Sequence, residues 1–152
     1  MTQFLGTHQN RLDAKGRVSI PAPLRNQIRK NGDGVVELVL RPSHKHPCIE
    51  CWPPDAFEEL SAPMQKLEVF SEDQEDLAAT IFADAFPVES DKEGRITVPE
   101  CLKQHANLVD GVVFMGLGRT FQIWEPAAAE RRRLQARVSV RERAFTLPGS
   151  AA

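Results

Sequence analysis

At 152 residues, the chain has the length of one domain, or of two small units that share a core. Its residues are 41% apolar and 26% charged, as in soluble globular proteins, and no apolar run approaches the roughly 18–20 residues of a membrane helix. The three cysteines, an odd number, do not indicate a disulfide framework. We therefore expect a cytoplasmic protein without a membrane partner.

The net charge of −2 conceals an uneven distribution of charge along the chain. Residues 1–47 carry 8 lysines and arginines against 3 carboxylates, and residues 94–152 carry 9 against 5. Between them, residues 48–93 carry 2 lysines against 13 carboxylates. Because a polyanion responds to local charge rather than to net charge, the two basic ends keep nucleic acid as a candidate partner.

The first predicted element is a turn followed by a strand, in the segment DAKGRVSIP at residues 13–21. Asp13 and Gly16 have the spacing of a tight turn, in which the aspartate accepts backbone N–H groups and the glycine adopts a positive φ. The alternation that follows places the apolar residues on one face of a strand and Arg17 on the other. The next predicted elements are a short helix and two buried strands, at residues 22–32, 34–41 and 49–52.

The central acidic segment predicts two further helices. Prolines in a first turn start one of them within residues 53–60, and Ser71 with Gln74 forms a capping-box pattern for the other. The carboxylates that follow Ser71 lie at a helix N-terminus, where the helix dipole favours them. We interpret this segment as a solvated helical connector.

The sequence pattern of this turn and strand is repeated 78 residues later, as DKEGRITVP at residues 91–99. The similarity continues beyond them, because residues 33–40 match 110–117 and residues 49–52 match 121–124. Each half has too few strands for a core of its own. We therefore predict a mainly β fold with short helices (α+β), in which two pseudo-symmetric halves pair into one β-barrel.

Two cysteines beside two histidines, in the segment HKHPCIECW at residues 44–52, raise a zinc or thiol protein as an alternative. The repeat aligns Cys48 and Cys51 with Thr120 and Ile123, and so predicts a strand here. Positions three apart on a strand point to opposite faces, where two thiolates do not converge on one ion. We therefore predict buried thiols, no metal site and no cofactor.

The repeated aspartates, Asp13 and Asp91, raise an acid–base pair as a second enzymatic alternative. Such a pair requires that one of the two carboxyl groups has a raised pKa. Each aspartate is instead followed four residues later by an arginine, and a nearby positive charge lowers the pKa of a carboxyl group. The sequence also has no Walker loop or dinucleotide glycine motif. We therefore predict no catalytic residue and no enzyme, and assign structural turn roles to Asp13, Gly16, Asp91 and Gly94.

Cations occupy the tips of both predicted turns. Arginine makes bidentate contacts with phosphates and with guanine edges, and so repeated cations at turn tips indicate a DNA-binding surface. A solvated edge is the alternative interpretation. The predicted DNA-binding residues are Lys15, Arg17, Lys92, Arg95 and, on the exposed face of the following helix, Arg25.

The two D-x-x-G-R segments, each followed by an alternating strand and a proline, resemble the AbrB/SpoVT-type DNA-binding half-barrel. Two such units in one chain resemble the MraZ family of bacterial regulators of the division and cell wall gene cluster, through residues 12–25, 91–102 and 114–126. The resemblance implies an AbrB/SpoVT-like double-split β-barrel and a ring-shaped homo-oligomer. It also implies a nucleoid-associated repressor that binds short direct repeats of double-stranded promoter DNA through the cations of both motifs.

The chain departs from the family pattern around its second motif. The segment before that motif keeps Phe82 and Phe86 but has no arginine, and Glu93 lies beside Gly94, where it does not help to bind phosphate. We therefore expect the second half to be the weaker DNA-contacting surface.

The resemblance divides the chain into two AbrB/SpoVT-like repeats, an acidic helical connector between them and an Arg-rich, partly disordered C-terminal tail. The repeats are residues 3–60 and 81–135, the connector is 61–80 and the tail is 136–152. The competing interpretation is an antitoxin-like protein-interaction module built on the same half-barrel. Antitoxins of that type carry one half and a long arm, whereas this chain has two halves. Neither interpretation includes a small-molecule substrate.

Overall fold

The computed structural model describes residues 3–28, 32–144 and 147–148, and that part of the chain contains eight strands. The strands of the first half are Thr7–Arg11 (β1), Arg17–Ser19 (β2), Glu37–Pro42 (β3) and Ile49–Trp52 (β4). Those of the second half are Phe86–Glu89 (β5), Arg95–Thr97 (β6), Gly111–Gly116 (β7) and Phe121–Trp124 (β8). With six mostly short helices, this confirms the predicted mainly β, α+β fold.

The helices lie after the short strands, between the halves and at the end of the second half. They are Ala22–Arg25 (α1), Pro54–Glu58 (α2), Ser61–Met64 (α3), Glu72–Ala78 (α4), Glu100–His105 (α5) and Pro126–Glu142 (α6). A π-helical turn over Ala79–Ala83 continues α4. Within the described residues, no helix is both long and apolar enough to cross a membrane.

Local sequence signals account for several helix ends. The predicted capping box is confirmed, because the Ser71 side chain accepts a hydrogen bond from the backbone N–H of Gln74 at 3.1 Å. Helix α1 ends at Arg25, well before residue 32, and residues 29–31 lie outside the described part of the chain. Helix α6 includes residues 136–142 of the predicted tail. The disorder predicted for the tail falls partly on residues 145–146 and 149–152, which lie outside the described residues.

The strands form a six-stranded antiparallel sheet, in the order β1-β7-β8-β4-β3-β5, and a two-stranded ribbon of β2 and β6. Each edge strand of the large sheet pairs with the opposite half: β1 with β7, and β5 with β3. The centre of that sheet also joins the halves through β4 and β8. Neither half completes its sheet alone, as the strand count predicts. Closure into a double-split barrel stays a prediction.

One apolar core unites the ribbon, the large sheet and two short helices. Val18 and Ile96 of the ribbon are buried in the same cluster as Leu40 and Ile123 of the large sheet. Leu24 of α1 and Leu102 of α5 join the same cluster, which attaches both helices beside the ribbon. Full burial of such a side chain stabilises the fold by about 1.5–3 kcal/mol. Because the core buries Val18 and Ile96, the polar face of the ribbon lies on the side away from the core.

Candidate nucleic-acid interface

The two copies of the repeated motif meet as strands β2 and β6. Their antiparallel register places Arg17 opposite Thr97, Val18 opposite Ile96, and Ser19 opposite Arg95. Because Val18 and Ile96 point into the core, the other face of the ribbon presents two arginines and two hydroxyl side chains. Segments 78 residues apart in the sequence thus form one surface with a pseudo-two-fold axis.

The first turn is held by Asp13. Its Oδ1 accepts backbone hydrogen bonds from Lys15 and Arg17, both at 2.9 Å, and its Oδ2 accepts one from Arg17 Nε at 2.8 Å. The backbone N–H of Gly16 donates to the Asp13 carbonyl, and Gly16 has a φ of +78°, which favours glycine. The predicted structural role of Asp13 and Gly16 is consistent with each of these contacts.

The second turn repeats the first with one added ion pair. Asp91 Oδ1 accepts backbone hydrogen bonds from Glu93 at 2.9 Å and Arg95 at 3.0 Å, and its Oδ2 accepts one from Arg95 Nε at 2.7 Å. Gly94 has a φ of +84°. In addition, Arg95 Nη2 lies 3.4 Å from Glu93 Oε2, whereas Arg17 has no second carboxylate partner among the described residues. The second arginine is therefore the more strongly neutralised.

These contacts orient the arginines and leave part of each guanidinium accessible. The aspartate binds Nε, so the terminal nitrogens of Arg17 make no ion pair within the described part of the chain. The side chains of Arg17 and Arg95 remain about one-third exposed. An arginine restrained in this way loses little rotamer entropy when its planar fork contacts a phosphate or a guanine.

The helices cross over, so that each lies beside the turn of the opposite half. A Cβ on Gly94 would lie 2.7 Å from Nη1 of Arg25, which belongs to α1 and donates to the Ile20 carbonyl at 2.9 Å. A Cβ on Gly16 would lie 3.7 Å from Nζ of Lys103, which belongs to α5. Lys103 also lies 3.3 Å from Glu100. Each turn therefore has a cation from the other half beside it.

Six cations thus gather around the ribbon, and five of them are the residues predicted from the sequence. The sixth is Lys103, which the prediction omits although the repeat aligns it with Arg25. Lys15 and Lys92 are exposed at the turn tips, and the other four are half-buried. We call this set the ribbon face: Lys15, Arg17, Arg25, Lys92, Arg95 and Lys103.

The pKa values of the two turn aspartates are shifted in the direction opposite to the one that a catalytic pair requires. The pKa of Asp13 is lowered, first by the backbone hydrogen bond from Arg17 and then by the Arg17 guanidinium. The pKa of Asp91 is lowered in the same order of causes by Arg95. A pair of carboxylates that shares a proton requires one raised pKa. Both aspartates are therefore suited to remain ionised and to orient their arginines.

Cys48 and Cys51 are buried, whereas Cys101 is exposed. Cys51 belongs to the main core, whereas Cys48 belongs to a second cluster with Val113, Trp124 and Ala129. This confirms the prediction that the two thiols face apart. Burial raises the pKa of Cys48 to about 12 and that of Cys51 well above its ordinary value. Burial therefore favours the protonated form of both thiols over the thiolate, which is the nucleophilic form.

Replacing both Asp13 and Asp91 with alanine is expected to lower the midpoint of thermal unfolding at pH 7, because four backbone donors and two guanidinium groups lose their acceptor. The folded-state pKa of each aspartate is lowered, so its stabilisation exists above the ordinary pKa of about 3.9 and is lost as the pH falls through the lowered value. The difference in melting midpoint from wild type should therefore shrink in acid.

The matched control for this prediction is the double variant Asp13→Asn/Asp91→Asn. Asparagine keeps an oxygen that accepts the backbone hydrogen bonds but has no charge for the arginine, and so an intermediate melting midpoint is expected. Identical melting curves for wild type and the alanine variant at pH 7 would contradict the structural role.

Comparison with known proteins places the chain among relatives of one kind. The family model described as "MraZ protein, putative antitoxin-like" matches residues 3–79 and 81–143. The chain is 59% identical over 150 residues to the transcriptional regulator MraZ of Gluconacetobacter diazotrophicus, covering 98% of this chain and 95% of the relative. It is 59% identical over 144 residues to that of Gluconobacter oxydans, with 93% and 87% covered. It is 32% identical to that of Rickettsia akari, with 97% of each covered.

These matches extend over both repeated motifs, nearly all of the connector and the whole of α6. The sequence resemblance to this family, which rests on residues 12–25, 91–102 and 114–126, is therefore confirmed over nearly the whole chain. The chain belongs to the MraZ family.

Proposed function

We propose that this chain is a sequence-specific DNA-binding transcriptional regulator, acting as a repressor on short direct repeats in the promoter of the division and cell wall gene cluster. The relatives named as transcriptional regulators support the class of function. The observation that carries the proposal is the meeting of the two motifs in the ribbon of β2 and β6, which collects cations from both halves.

The ribbon face matches the geometry of DNA recognition. The major groove of B-DNA is about 12 Å wide and admits a two-stranded β-ribbon. Arg17 and Arg95 lie on neighbouring strands of such a ribbon, where each guanidinium could pair with the O6 and N7 atoms of a guanine. We propose that the phosphates on either side are contacted by the lysines at the turn tips, Lys15 and Lys92, and by the cations beside the turns, Arg25 and Lys103.

One subunit offers few base contacts, and so we propose that affinity comes from several subunits bound together. A ring uses head-to-tail contacts, which present the ribbon faces of adjacent subunits in the same sense. Such subunits read direct repeats, whereas a two-fold dimer reads an inverted one. Linking the subunits makes each further binding event intramolecular, which raises the overall affinity without new contacts.

Gel shifts on probes that carry one to four repeats, spaced by about one helical turn or roughly 10 bp, test this proposal. Affinity is expected to rise steeply with the number of repeats and to fall steeply with salt, because phosphate contacts release counterions. A probe with one repeat inverted is the matched control. Equal affinity for one and four repeats, or a preference for the inverted probe, would contradict the proposal. Failure to bind any probe would favour the antitoxin-like interaction module.

A further inference from the structure

The loop between α3 and α4 exposes an apolar knob that its own subunit does not cover. Val69 is 70% exposed and Phe70 is 94% exposed, the highest value among large apolar side chains in the described residues. Phe70 also has a φ of +66°, a conformation that a bulky residue rarely adopts. The Phe70 backbone N–H donates to Gln74 Oε1 at 3.2 Å, and so the start of α4 holds the knob in solvent.

Carboxylates surround this knob. Residues 68–76 contain five acidic residues and no lysine or arginine. All five side chains are exposed, and they are Glu68, Glu72, Asp73, Glu75 and Asp76. A surface that combines an exposed phenylalanine with dense negative charge indicates a binding partner that is apolar at its centre and basic at its rim.

The same chain carries a cleft of that complementary character, between helix α6 and the face of the large sheet formed by β7, β8 and β4. The cleft has a volume of about 470 Å³. Its apolar wall includes Trp52, Met115, Leu117 and Ala136, and its basic wall includes Lys45, Arg132, Arg133 and Arg137. Helix α6 covers it incompletely, because Ala129 is the one buried residue among the 17 of this helix.

The positive charge of the cleft is not neutralised from within the subunit. None of its four cations makes an ion pair within the described residues. The carboxylate in the lining, Glu50, is already bound to the buried Arg41 at 2.6 Å. The cleft is therefore available to carboxylates from another molecule.

We propose that the knob of one copy, Val69 and Phe70 with their surrounding carboxylates, binds in this cleft of a second copy. The inference rests on the assembly of subunits in the proposed function and specifies the surface that forms it. Phe70 would pack against Trp52 and Met115, while Glu68 and Asp76 would lie near Arg133 and Arg137. Opposite charge at the rim fixes the orientation of the two copies and speeds their encounter.

The contact joins two different surfaces, because no residue belongs to both the knob and the cleft. We take it as head-to-tail, so that the knob and the cleft of one copy contact two different copies. Each copy thus offers one knob to the next and one cleft to the previous, which produces a closed ring if the rotation closes. The ribbon face is a third surface, since none of its six cations lines the cleft. Assembly would leave the ribbon face open to DNA.

The first experiment measures the mass of the full chain by light scattering without DNA, for wild type, Phe70→Asp and the control Val109→Asp. Val109 is 87% exposed elsewhere on the surface and serves as a matched apolar-to-acid change. Aspartate tolerates a positive φ, and so Phe70→Asp is expected to keep the circular dichroism spectrum of wild type. We expect Phe70→Asp to weaken subunit association at least tenfold, whereas Val109→Asp should assemble as wild type does.

The second experiment uses reciprocal charge reversal, at positions that avoid the first turn of α4. The cleft variant Arg133→Glu/Arg137→Glu and the knob variant Glu68→Lys/Asp76→Lys should each fail to assemble alone. When mixed, they should form an alternating assembly, because each reversed cleft meets a reversed knob and each native cleft meets a native knob. Restored mass in the mixture would distinguish a direct contact from damage to either fold.

The outcomes separate this inference from the proposed function. If wild type assembles and Phe70→Asp assembles equally well, the knob is not the contact and the inference fails while the proposed assembly stands. If inorganic pyrophosphate then binds to that variant in calorimetry, and binding is lost in Arg133→Glu/Arg137→Glu, the cleft binds a small anion instead, which also overturns the inference. If wild type itself is monomeric and binds a single repeat as tightly as four, the proposed assembly fails.

Discussion

Replacing Arg17 with alanine is expected to weaken binding to a multi-repeat probe strongly while leaving the fold unchanged. Arg17 lies on the solvent face of the ribbon, and Asp13 binds its Nε, so that its terminal nitrogens make no ion pair among the described residues. Loss of one bidentate guanine contact removes about 1–3 kcal/mol per site, and the loss is repeated in every subunit engaged. Gel-shift titration measures the affinity, and the thermal unfolding midpoint reports on the fold.

The corresponding change Arg95→Ala is expected to have a smaller effect, because Glu93 already pairs with this arginine. Arg119→Ala is the matched control, since Arg119 is exposed outside the ribbon face and is paired with Glu59. It should bind DNA as wild type does. Unchanged affinity of Arg17→Ala, or equal losses for Arg17→Ala and Arg119→Ala, would contradict the role of the ribbon face.

Replacing Glu50 with alanine is expected to have the largest effect on stability, through the buried Arg41. The Arg41 side chain is 2% exposed, and its charge is balanced by Glu50 at 2.6 Å. Arg41 also donates to the Thr80 carbonyl at 3.2 Å, and so its side chain links strand β3 to the π-helical turn that follows α4. Removing one partner of a buried pair destabilises a fold by about 3–5 kcal/mol, because the other charge remains buried. Chemical denaturation of Glu50→Ala measures this loss.

The second half of the chain provides the control for this prediction. Gln122 stands at the position equivalent to Glu50 and accepts a hydrogen bond from Trp124 Nε1 at 2.8 Å, as Glu50 does from Trp52 Nε1 at 3.1 Å. Glu50→Gln keeps that acceptor and loses the charge, and so its loss of stability should lie between wild type and Glu50→Ala. A free energy of unfolding of Glu50→Ala within experimental error of wild type would show that Arg41 does not depend on this carboxylate.

Local features were predictable from the sequence because their interactions lie within a few residues. The turn depends on Asp13 accepting hydrogen bonds from residues two and four positions later, and the D-x-x-G spacing encodes that geometry. The period-2 alternation likewise specified that Val18 and Ile96 are buried. The internal repeat then doubled each local signal, and so the fold class and five cations of the ribbon face could be predicted without a structure.

The repeat did not predict the different burial of two equivalent phenylalanines. Phe4 and Phe82 hold equivalent positions before the two turns, yet Phe4 is in the core and Phe82 is partly exposed. Phe82 instead packs edge-to-face on Phe57 of α2, with ring centroids 5.6 Å apart. Phe4, in contrast, packs edge-to-face on Phe121 of β8, with ring centroids 5.0 Å apart, and so the equivalent positions contact different kinds of element. No pattern within the second half indicates the contact of Phe82 with Phe57.

The sequence predicts the turns, the buried side of each ribbon strand and the number of related halves, because these depend on short-range hydrogen bonds and on period. The three-dimensional structure was needed to show that the two turns join in one ribbon, and that Arg25 lies beside Gly94 while Lys103 lies beside Gly16. That exchange depends on long-range packing, since Leu24 and Leu102 lie in one common core and the large sheet over that core is built from strands of both halves.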